Sequence, residues 1–301
     1  MRRGRHLNPH APHHPTIRYS WTVHTGDHDF TIRFWGVRGS IACSGPETIR
    51  YGGNTSSLEV RCGGRRLLFD AGSGIRYLGN AMVAEAPVDV DLYLTHTHFD
   101  HVCGLPFFRP LFQPQNTFRV WAGHLGGRVT LHRVVCEFMI SPLFPVPPEV
   151  FRSNLSYLEF EAGQTLTPGP GITLRTTALN HPDGATGYRI EYDGRALCYL
   201  TDTEHVPGAP DRNVLALIEG ADLVIYDCMY TDEEYAQGHA GWGHSTWQEG
   251  VRLCKAAGAK RLVVFHHDPD HDDDALDAIA REVEQALPGS LLAYEGLVLT
   301  P

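Results

Sequence analysis

Residues 93–101 read YLTHTHFDH and place three histidines and an aspartate at the end of an apolar run. The run VDLYL before them is typical of a buried strand, and residues two apart on an extended chain point to the same side. His96 and His98 can therefore bind one metal ion together. Asp100 and His101, further into the turn, must point elsewhere, which suits a second ion nearby. A turn that only caps a helix, with Asp100 as N-cap, would explain one of these residues but not all four.

The composition is typical of a globular protein. The chain has 301 residues, of which 42% are hydrophobic, enough for a sizeable core. No stretch approaches the roughly eighteen apolar residues of a membrane span, and no apolar signal segment follows the first arginines. The seven cysteines include no CxxC pair, so we expect reduced thiols rather than disulfides or a thiolate zinc finger, and a cytoplasmic protein.

The formal net charge is −10. A general nucleic-acid binder normally carries a basic stripe for the phosphates, so this acidic balance argues against one. It is compatible with a small phosphate ester as substrate.

Two segments differ from the rest of the chain in composition. Residues 1–29 are rich in His, Pro and Arg without helical or strand periodicity, and we expect a mobile tail there. Residues 30–301 alternate short β-like runs with helical patterns, which predicts a single layered α/β domain. Within it, residues 105–148 are rich in proline and aromatic residues. We expect an insertion that forms a cap or wall over a pocket, or only a long packed connection.

Several local signals predict individual elements. Helical patterns cover residues 73–84, 246–257 and 273–287. Asp193-Gly194 lies between two β-like runs and predicts a hairpin turn. Ser245, with Gln248 three residues later, predicts a capping box at the start of the second helix.

Three later residues are candidate ligands for the same ions, because each directly follows a β-like run. They are His181 after LRTTALN, Asp202 after LCYLT and His266 after RLVVF. A single polar residue at a strand end is more often structural. Together the three predict ligands at one edge of a sheet, where α/β proteins usually build their sites.

The string His96-x-His98-x-Asp100-His101, with these three later residues, resembles the metallo-β-lactamase superfamily from residue 30 to the C terminus. The resemblance implies a four-layer αββα sandwich of two similar halves, with a dinuclear site along one edge. It also implies which residues hold each ion. The first ion would be held by His96, His98 and His181, the second by Asp100, His101 and His266, and Asp202 would bridge the two.

The same resemblance gives Asp70, at the end of RRLLFD, the role of a carboxylate that orients the ligands. His267 stands beside His266 and stays an alternative ligand. The superfamily pattern favours His266, the residue that directly follows the strand.

A second motif, GWGHSTWQEGV at residues 241–251, resembles the His-Ser-Thr motif of the superfamily's phosphodiesterase branch. That branch includes ribonuclease Z and cyclic-phosphate and cyclic-nucleotide phosphodiesterases. The stretches FWGVRGS, RYGGNTSSLEV, HPDGATGYRIEY, YLTDTEH and YDCMYTDEEY are similar to phosphoribosyl 1,2-cyclic phosphodiesterase-like proteins. His244 and Ser245 would bind substrate near a helix N terminus, which favours anions. Alternatively, His244 only completes a turn.

The resemblance therefore implies hydrolysis of a small or cyclic phosphodiester, either a cyclic nucleotide or a cyclic sugar phosphate. A hydroxide between two divalent ions would attack phosphorus, Asp100 would orient the water or accept its proton, and His244 would serve the leaving group. Histidines and carboxylates without cysteine favour Zn²⁺, with Mn²⁺ or Fe²⁺ as alternatives.

Three other functions stay open. A tRNA 3′-processing endonuclease of the ribonuclease Z type is disfavoured by the acidic balance and by the lack of an obvious basic, glycine-rich arm. A lactone or thioester hydrolase would have no evident need for His244. A non-catalytic metal-binding protein is disfavoured because every ligand position is filled. A homodimer, with residues 105–148 against a second copy, is also left open.

Overall fold

The structure is a computed structural model that describes residues 29–301, so the predicted tail at residues 1–29 lies outside the described residues except for Asp29. Seven strands form the first sheet: β1 (Phe30–Gly36), β2 (Ser57–Cys62), β3 (Arg65–Phe69), β4 (Asp89–Leu94), β5 (Thr117–Ala122), β6 (Asn154–Glu159) and β14 (Val298–Leu299). Their order is β14-β1-β2-β3-β4-β5-β6, and the strands from β3 to β6 are parallel.

The second sheet also has seven strands: β7 (Thr165–Gly169), β8 (Ile172–Leu179), β9 (Ala185–Tyr192), β10 (Arg195–Leu200), β11 (Leu223–Asp227), β12 (Leu262–Phe265) and β13 (Leu291–Leu292). Their order is β13-β12-β11-β10-β9-β8-β7, and the strands from β10 to β13 are parallel. Each sheet therefore has an antiparallel part and a parallel part.

Seven α-helices accompany the sheets in the described residues: α1 (Ile75–Met82), α2 (Phe99–Val102), α3 (Leu131–Phe138), α4 (Arg212–Ile218), α5 (Asp232–Glu234), α6 (Trp247–Ala257) and α7 (Asp273–Ala286). The predicted helices at 73–84, 246–257 and 273–287 correspond to α1, α6 and α7. The hairpin prediction also holds, because Asp193 and Gly194 join β9 to β10 with φ values of 50° and 71°.

Three layers of buried side chains account for this arrangement. Alternate residues of both sheets, such as Phe34 and Ile190, pack between the sheets. The other face of the first sheet packs on α1 and α3, and that of the second sheet packs on α4, α6 and α7. The predicted four-layer αββα sandwich is therefore confirmed. Among the described residues, no helix combines the length and the apolar character needed to cross a membrane.

Residues 105–148 are built into the first half of the sandwich. They contain β5, which pairs with both β4 and β6, and buried Leu111 and Leu131 join the layer under the helices. The stretch is therefore not an insertion added to the sandwich, because one of the strands of the first sheet lies inside it.

The start of α6 differs from the predicted capping box. Its N-cap is Thr246, whose side chain accepts a hydrogen bond from the Glu249 backbone N–H at 3.1 Å. Ser245 is fully buried instead, and its Oγ lies 2.9 Å from His205 Nδ1 and 3.1 Å from the Tyr226 hydroxyl. The prediction that Ser245 caps the helix is wrong because these two partners hold its side chain in the interior.

Candidate metal centre

The predicted ligands meet at one edge of the sandwich because the strands before them end there. His96 follows β4, His181 follows β8, Asp202 follows β10 and His266 follows β12. Carboxyl ends of parallel strands share an edge, and the two sheets face each other, so side chains from both halves converge.

Backbone strain is concentrated at this edge. Left-handed backbone is uncommon outside glycine and costs roughly 1–3 kcal/mol per residue, so it persists where the surrounding structure enforces it. Five residues at the edge adopt it, with φ between 58° and 63°: Ser40, Asp70, Asp183, Asp202 and His266. Three of these five, Asp70, Asp202 and His266, were predicted as site residues from the sequence.

Three imidazoles form the first set of potential ligands, here called the histidine group: His96, His98 and His181. The His181 Nδ1 lies 2.8 Å from the Gly243 carbonyl oxygen, which directs its Nε2 to within 3.1 Å of His98 Nδ1. The His96 Nε2 is buried and has no hydrogen-bond partner among the described residues. Burial lowers the pKa of both His96 and His181, so these rings are neutral and have lone pairs for a metal ion.

The second set, here called the carboxylate group, consists of Asp100, His101, Asp202 and His266, all buried. The His101 Nε2 lies 3.2 Å from Asp100 Oδ2 and 3.1 Å from Asp202 Oδ2, and the His266 Nε2 lies 3.3 Å from each of the same two oxygens. Burial opposes protonation of His101, but Asp202 and Asp100 outweigh it and raise its pKa well above the ordinary value. The group is thus a buried concentration of negative charge that attracts cations.

Asp202 adjoins both groups. Its Oδ2 belongs to the carboxylate group, whereas its Oδ1 lies 3.8 Å from His96 Nε2 and 3.7 Å from His181 Nε2. One carboxylate therefore faces two sets of ligand atoms, as a residue that bridges two ions would.

Asp70 contacts His101 of the carboxylate group on the side of the ring opposite Asp100 and Asp202. Its Oδ1 accepts a hydrogen bond from the Thr95 backbone N–H at 2.8 Å, and its Oδ2 accepts one from the Tyr199 hydroxyl at 2.7 Å. The same Oδ2 lies 3.0 Å from His101 Nδ1. This contact turns the opposite ring nitrogen of His101 toward the ligands, which is the orienting position expected for Asp70.

The two adjacent histidines at the end of β12 face different ways. His266 faces Asp100 and Asp202, as described above. The His267 Nε2 instead lies 2.8 Å from the Ala293 carbonyl oxygen, and burial lowers the pKa of His267 to about 3. The geometry therefore favours His266 over His267 as the ligand.

His244 lies beside the ligands and is paired with a carboxylate that the sequence analysis missed. Its Nδ1 lies 2.9 Å from Oδ2 of Asp227, the last residue of β11. Burial opposes protonation of His244, but Asp227 outweighs it and raises the pKa of His244 to about 9. Asp227 ends the run ADLVIYD much as Asp202 follows LCYLT, and this shared pattern was the available signal. Ser245, by contrast, points into the interior and away from the ligands.

A cleft of about 300 Å³ gives access to these residues. Its walls include two members of each ligand group and His244: the lining contains His98, Asp100, His181, Asp202 and His244. The Ser40 backbone N–H at its edge donates a hydrogen bond to Asp100 Oδ2 at 2.9 Å. A substrate in the cleft would thus contact ligands, a carboxylate and a charged imidazole together.

Comparison with known proteins agrees with this geometry. The profile of the family described as beta-lactamase superfamily domain matches residues 65–267. The chain belongs to this superfamily. Members are metal-dependent, and the residues present fit divalent ions, because the buried His96 Nε2 has no hydrogen-bond partner among the described residues and two buried carboxylates adjoin imidazoles.

Individual relatives extend over most of the chain. The ribonuclease Z of Gemmatimonas aurantiaca is 25% identical over 315 residues, covering 88% of this chain and 94% of that protein. Among solved structures, the metallo-beta-lactamase fold protein YhfI from Bacillus subtilis has a TM-score of 0.68 at 20% identity and covers 90% of this chain and 99% of its own. A diphosphatase from the PhnP family has a TM-score of 0.65 at 20% identity, with coverage of 90% and 96%. The resemblance to the metallo-β-lactamase superfamily and to its phosphodiesterase branch is confirmed.

Proposed function

We propose that this superfamily member hydrolyses a small or cyclic phosphodiester with the help of two divalent metal ions. One observation carries the proposal: Asp202 faces two adjoining ligand groups, and the imidazole of His244, paired with Asp227, borders the same cleft. Ligands for ions together with an acid beside them are the components that phosphodiester cleavage requires.

The ions would occupy the histidine group and the carboxylate group. Bound there, divalent ions supply activation of water and neutralisation of charge on the phosphoryl oxygens. Together the two groups offer imidazole nitrogen and carboxylate oxygen without thiolate, a donor set that favours Zn²⁺ and that Mn²⁺ and Fe²⁺ also accept.

His244 would protonate the oxygen of the leaving group. Asp227 holds Nδ1, so the other ring nitrogen, Nε2, remains to donate a proton into the cleft. The carboxylate also keeps the ring charged, which attracts a phosphate anion before the reaction. A lactone or thioester hydrolase would not require this cation, so His244 distinguishes the two kinds of chemistry.

Asp100 would orient the attacking water or accept its proton. Burial raises the pKa of Asp100, but His101 and His266 outweigh it and hold the pKa below its ordinary range, so the group is a carboxylate at neutral pH. The Ser40 N–H on Oδ2 fixes its orientation at the edge of the cleft. A carboxylate with a lowered pKa is a weak base, so its direct contribution would be a hydrogen bond that holds the water in place.

The dimensions and charge favour a small substrate. A cleft of about 300 Å³ is at the lower end of the range for small-molecule pockets. The net charge of −10 gives a nucleic acid no general electrostatic attraction. Both features support a compact diester over a long RNA.

The test is hydrolysis of bis(p-nitrophenyl) phosphate by protein reconstituted with Zn²⁺ or Mn²⁺, for wild type and His244→Ala at equal metal content. We expect metal-dependent turnover that falls by about 10²-fold or more in the variant, the scale of general acid catalysis. If the fully metallated wild type shows no turnover, the proposal is wrong and a carboxyl-ester hydrolase or a non-catalytic metal-binding protein becomes the better account.

Processing of tRNA is the second candidate, supported by the ribonuclease Z relative that spans 88% of the chain. The discriminating measurement compares kcat/KM for a precursor tRNA with a 3′ trailer and for a cyclic phosphodiester. We expect the small substrate to be preferred. Preference for the precursor tRNA, weakening as salt concentration rises, would instead favour the second candidate.

The homodimer and the cytoplasmic location stay predictions. The stretch 105–148 carries exposed apolar side chains against which a second copy would pack: Phe107, Ile140, Leu143 and Val146. Light scattering of the purified protein is expected to give twice the monomer mass, and a monomer at micromolar concentration would contradict the dimer.

A further inference from the structure

We propose that Trp242 and Phe99 form a stacking site for a nucleobase, so that the diester cleaved here is a nucleotide rather than a cyclic sugar phosphate. This inference rests on the proposed function and adds the chemical class of the substrate. None of the metal ligands would select between these two classes, because both present the same phosphate.

Two large aromatic rings lie open at the mouth of the cleft. Trp242 and Phe99 are each 62% exposed, and both line the cleft that contains His98, Asp100 and His244. They come from different halves of the sandwich, since Phe99 begins α2 after β4 and Trp242 follows β11 in the second half. Exposed aromatic surface concentrated beside a site is typical of a place where a ligand covers it.

The backbone on both sides of Trp242 is fixed by one carboxylate. Oε1 of Glu204 accepts a hydrogen bond from the Gly241 N–H at 2.6 Å, and its Oε2 accepts one from the Gly243 N–H at 2.8 Å. The Tyr235 hydroxyl donates to the same Oε1 at 2.8 Å. The indole is therefore presented from an anchored loop, which reduces the entropy lost when a ligand stacks on it.

Neighbouring rings support the two aromatic residues without covering them. Trp242 meets His239 edge to face, with 5.3 Å between ring centroids, and Phe99 meets Phe138 in the same manner at 6.3 Å. Each ring thus keeps a large exposed area directed to solvent. A flat heterocycle can use that area, whereas a sugar has no π face.

Stacking also agrees with the distribution of polar and aromatic groups in the cleft. The polar side chains would contact the phosphate, and the aromatic rings lie at the mouth of the cleft, where the rest of the substrate would emerge. Because every base has a π face, such a site accepts different bases with similar strength. Loss of one base stack typically lowers affinity by about 5- to 150-fold.

The test compares two five-membered cyclic diesters, adenosine 2′,3′-cyclic phosphate and glycerol 1,2-cyclic phosphate. In both, water adds to phosphorus and one ring P–O bond breaks, which gives a phosphate monoester and a free hydroxyl that can be followed by phosphorus NMR. The variants are Trp242→Ala, Phe99→Ala, the conservative Trp242→Phe, and Tyr77→Ala. Tyr77 is a matched control because it is 41% exposed but lies on α1 and does not line the cleft.

We expect Trp242→Ala to lower kcat/KM for the adenosine substrate by about tenfold, mainly through KM, and to leave the glycerol substrate unchanged. Phe99→Ala should act in the same direction, while Trp242→Phe and Tyr77→Ala should stay close to wild type. Equal losses on both substrates would overturn the inference, since they would mean that Trp242 only supports the loop before His244. An unchanged adenosine rate in both alanine variants would overturn it as well.

Different results would contradict the stacking site and the proposed phosphodiesterase function. Hydrolysis of both substrates without preference for adenosine, and without effect of Trp242→Ala, contradicts only the stacking site. Failure of wild type on both substrates and on bis(p-nitrophenyl) phosphate contradicts the proposed function and the inference with it. Quenching of intrinsic fluorescence by adenosine 5′-monophosphate, compared between wild type and Trp242→Phe, gives a readout independent of turnover: the inference requires weaker quenching in the variant.

Discussion

The two ligand groups share one edge of the sandwich but differ in burial and charge. In the histidine group, the His98 side chain is 39% exposed and no carboxylate belongs to the set. In the carboxylate group, no side chain exceeds 9% exposure, and two carboxylates adjoin two imidazoles. One edge of the sandwich therefore holds an open set of imidazoles beside a closed set that contains two carboxylates. We expect the carboxylate group to retain its ion at lower free metal concentration and to exchange it more slowly.

Removal of Asp202 should weaken metal binding in both ligand groups. Asp202→Ala deletes the carboxylate that faces both, so we expect loss of tightly bound metal and a fall in kcat/KM of roughly 10³-fold or more, the upper range for loss of one group that stabilises the transition state. Metal analysis after dialysis and hydrolysis of bis(p-nitrophenyl) phosphate measure the two effects. Two retained ions with near wild-type activity would contradict the bridging position of Asp202.

Asp227 should affect the reaction without affecting the carboxylate group. Asp227→Asn removes the charge that holds His244 protonated, so we expect a fall in kcat of about 10²-fold. His244 donates a proton only below its pKa, and that pKa falls when the Asp227 carboxylate is lost, because Asp202 and Asp100 alone then oppose the effect of burial. The alkaline limb of the kcat profile should therefore move to lower pH. An unchanged limb with unchanged metal content would show that His244 is not the acid.

Glu204 should affect the histidine group alone. It holds the Gly243 N–H, and the Gly243 carbonyl oxygen contacts His181 Nδ1 at 2.8 Å, so Glu204 orients a candidate ligand through one residue, Gly243. We expect Glu204→Gln to weaken binding at the histidine group by about 10- to 100-fold, the range for loss of a group that orients a ligand. Competition titration with a chromophoric chelator resolves the two ions. Equal weakening of metal binding at both ligand groups would mean that the substitution disturbs the whole edge of the sandwich instead.

The smallest predicted effect concerns the hydrogen bond from Tyr199 to Asp70, the carboxylate that contacts His101. Tyr199→Phe deletes a buried hydroxyl that donates to Asp70 at 2.7 Å, and loss of a hydrogen bond to a charged group costs roughly 1.5–3 kcal/mol of unfolding free energy. Tyr188→Phe is a matched control, because that buried hydroxyl donates to the neutral carbonyl oxygen of Leu94 and its loss should cost only about 1 kcal/mol. Urea unfolding of the metal-free proteins measures both. A larger loss in the control would contradict the supporting role of Asp70.

The candidate ligands could be selected from the sequence because their signal is local, and the structure brings them together at one edge. Spacing by two after an apolar run and polar residues at strand ends are visible without any tertiary contact, and the superfamily resemblance rests on the same residues. The layered fold was predicted for the same reason. The run FRVWAG within residues 105–148 already indicated a strand, but its place between β4 and β6 depends on pairing that local sequence does not show.

The missed residues all depend on contacts between distant segments. Asp227 becomes significant only when its strand lies beside His244, and Glu204 only when the loop at residues 241–243 folds against it. At the start of α6, the sequence allows either Ser245 or Thr246 as the N-cap. His205 and Tyr226 contact the Ser245 side chain in the interior, so Thr246 caps the helix. Local sequence cannot distinguish two adjacent caps when tertiary contacts decide between them.

Catalysis by two bound ions can be tested by titrating metal-free protein with Zn²⁺ while following hydrolysis of bis(p-nitrophenyl) phosphate. We expect the first equivalent to bind tightly with little turnover, and activity to appear as the second equivalent fills the more open histidine group. Turnover in the absence of metal, or no turnover after two equivalents have bound, would contradict catalysis by two bound ions.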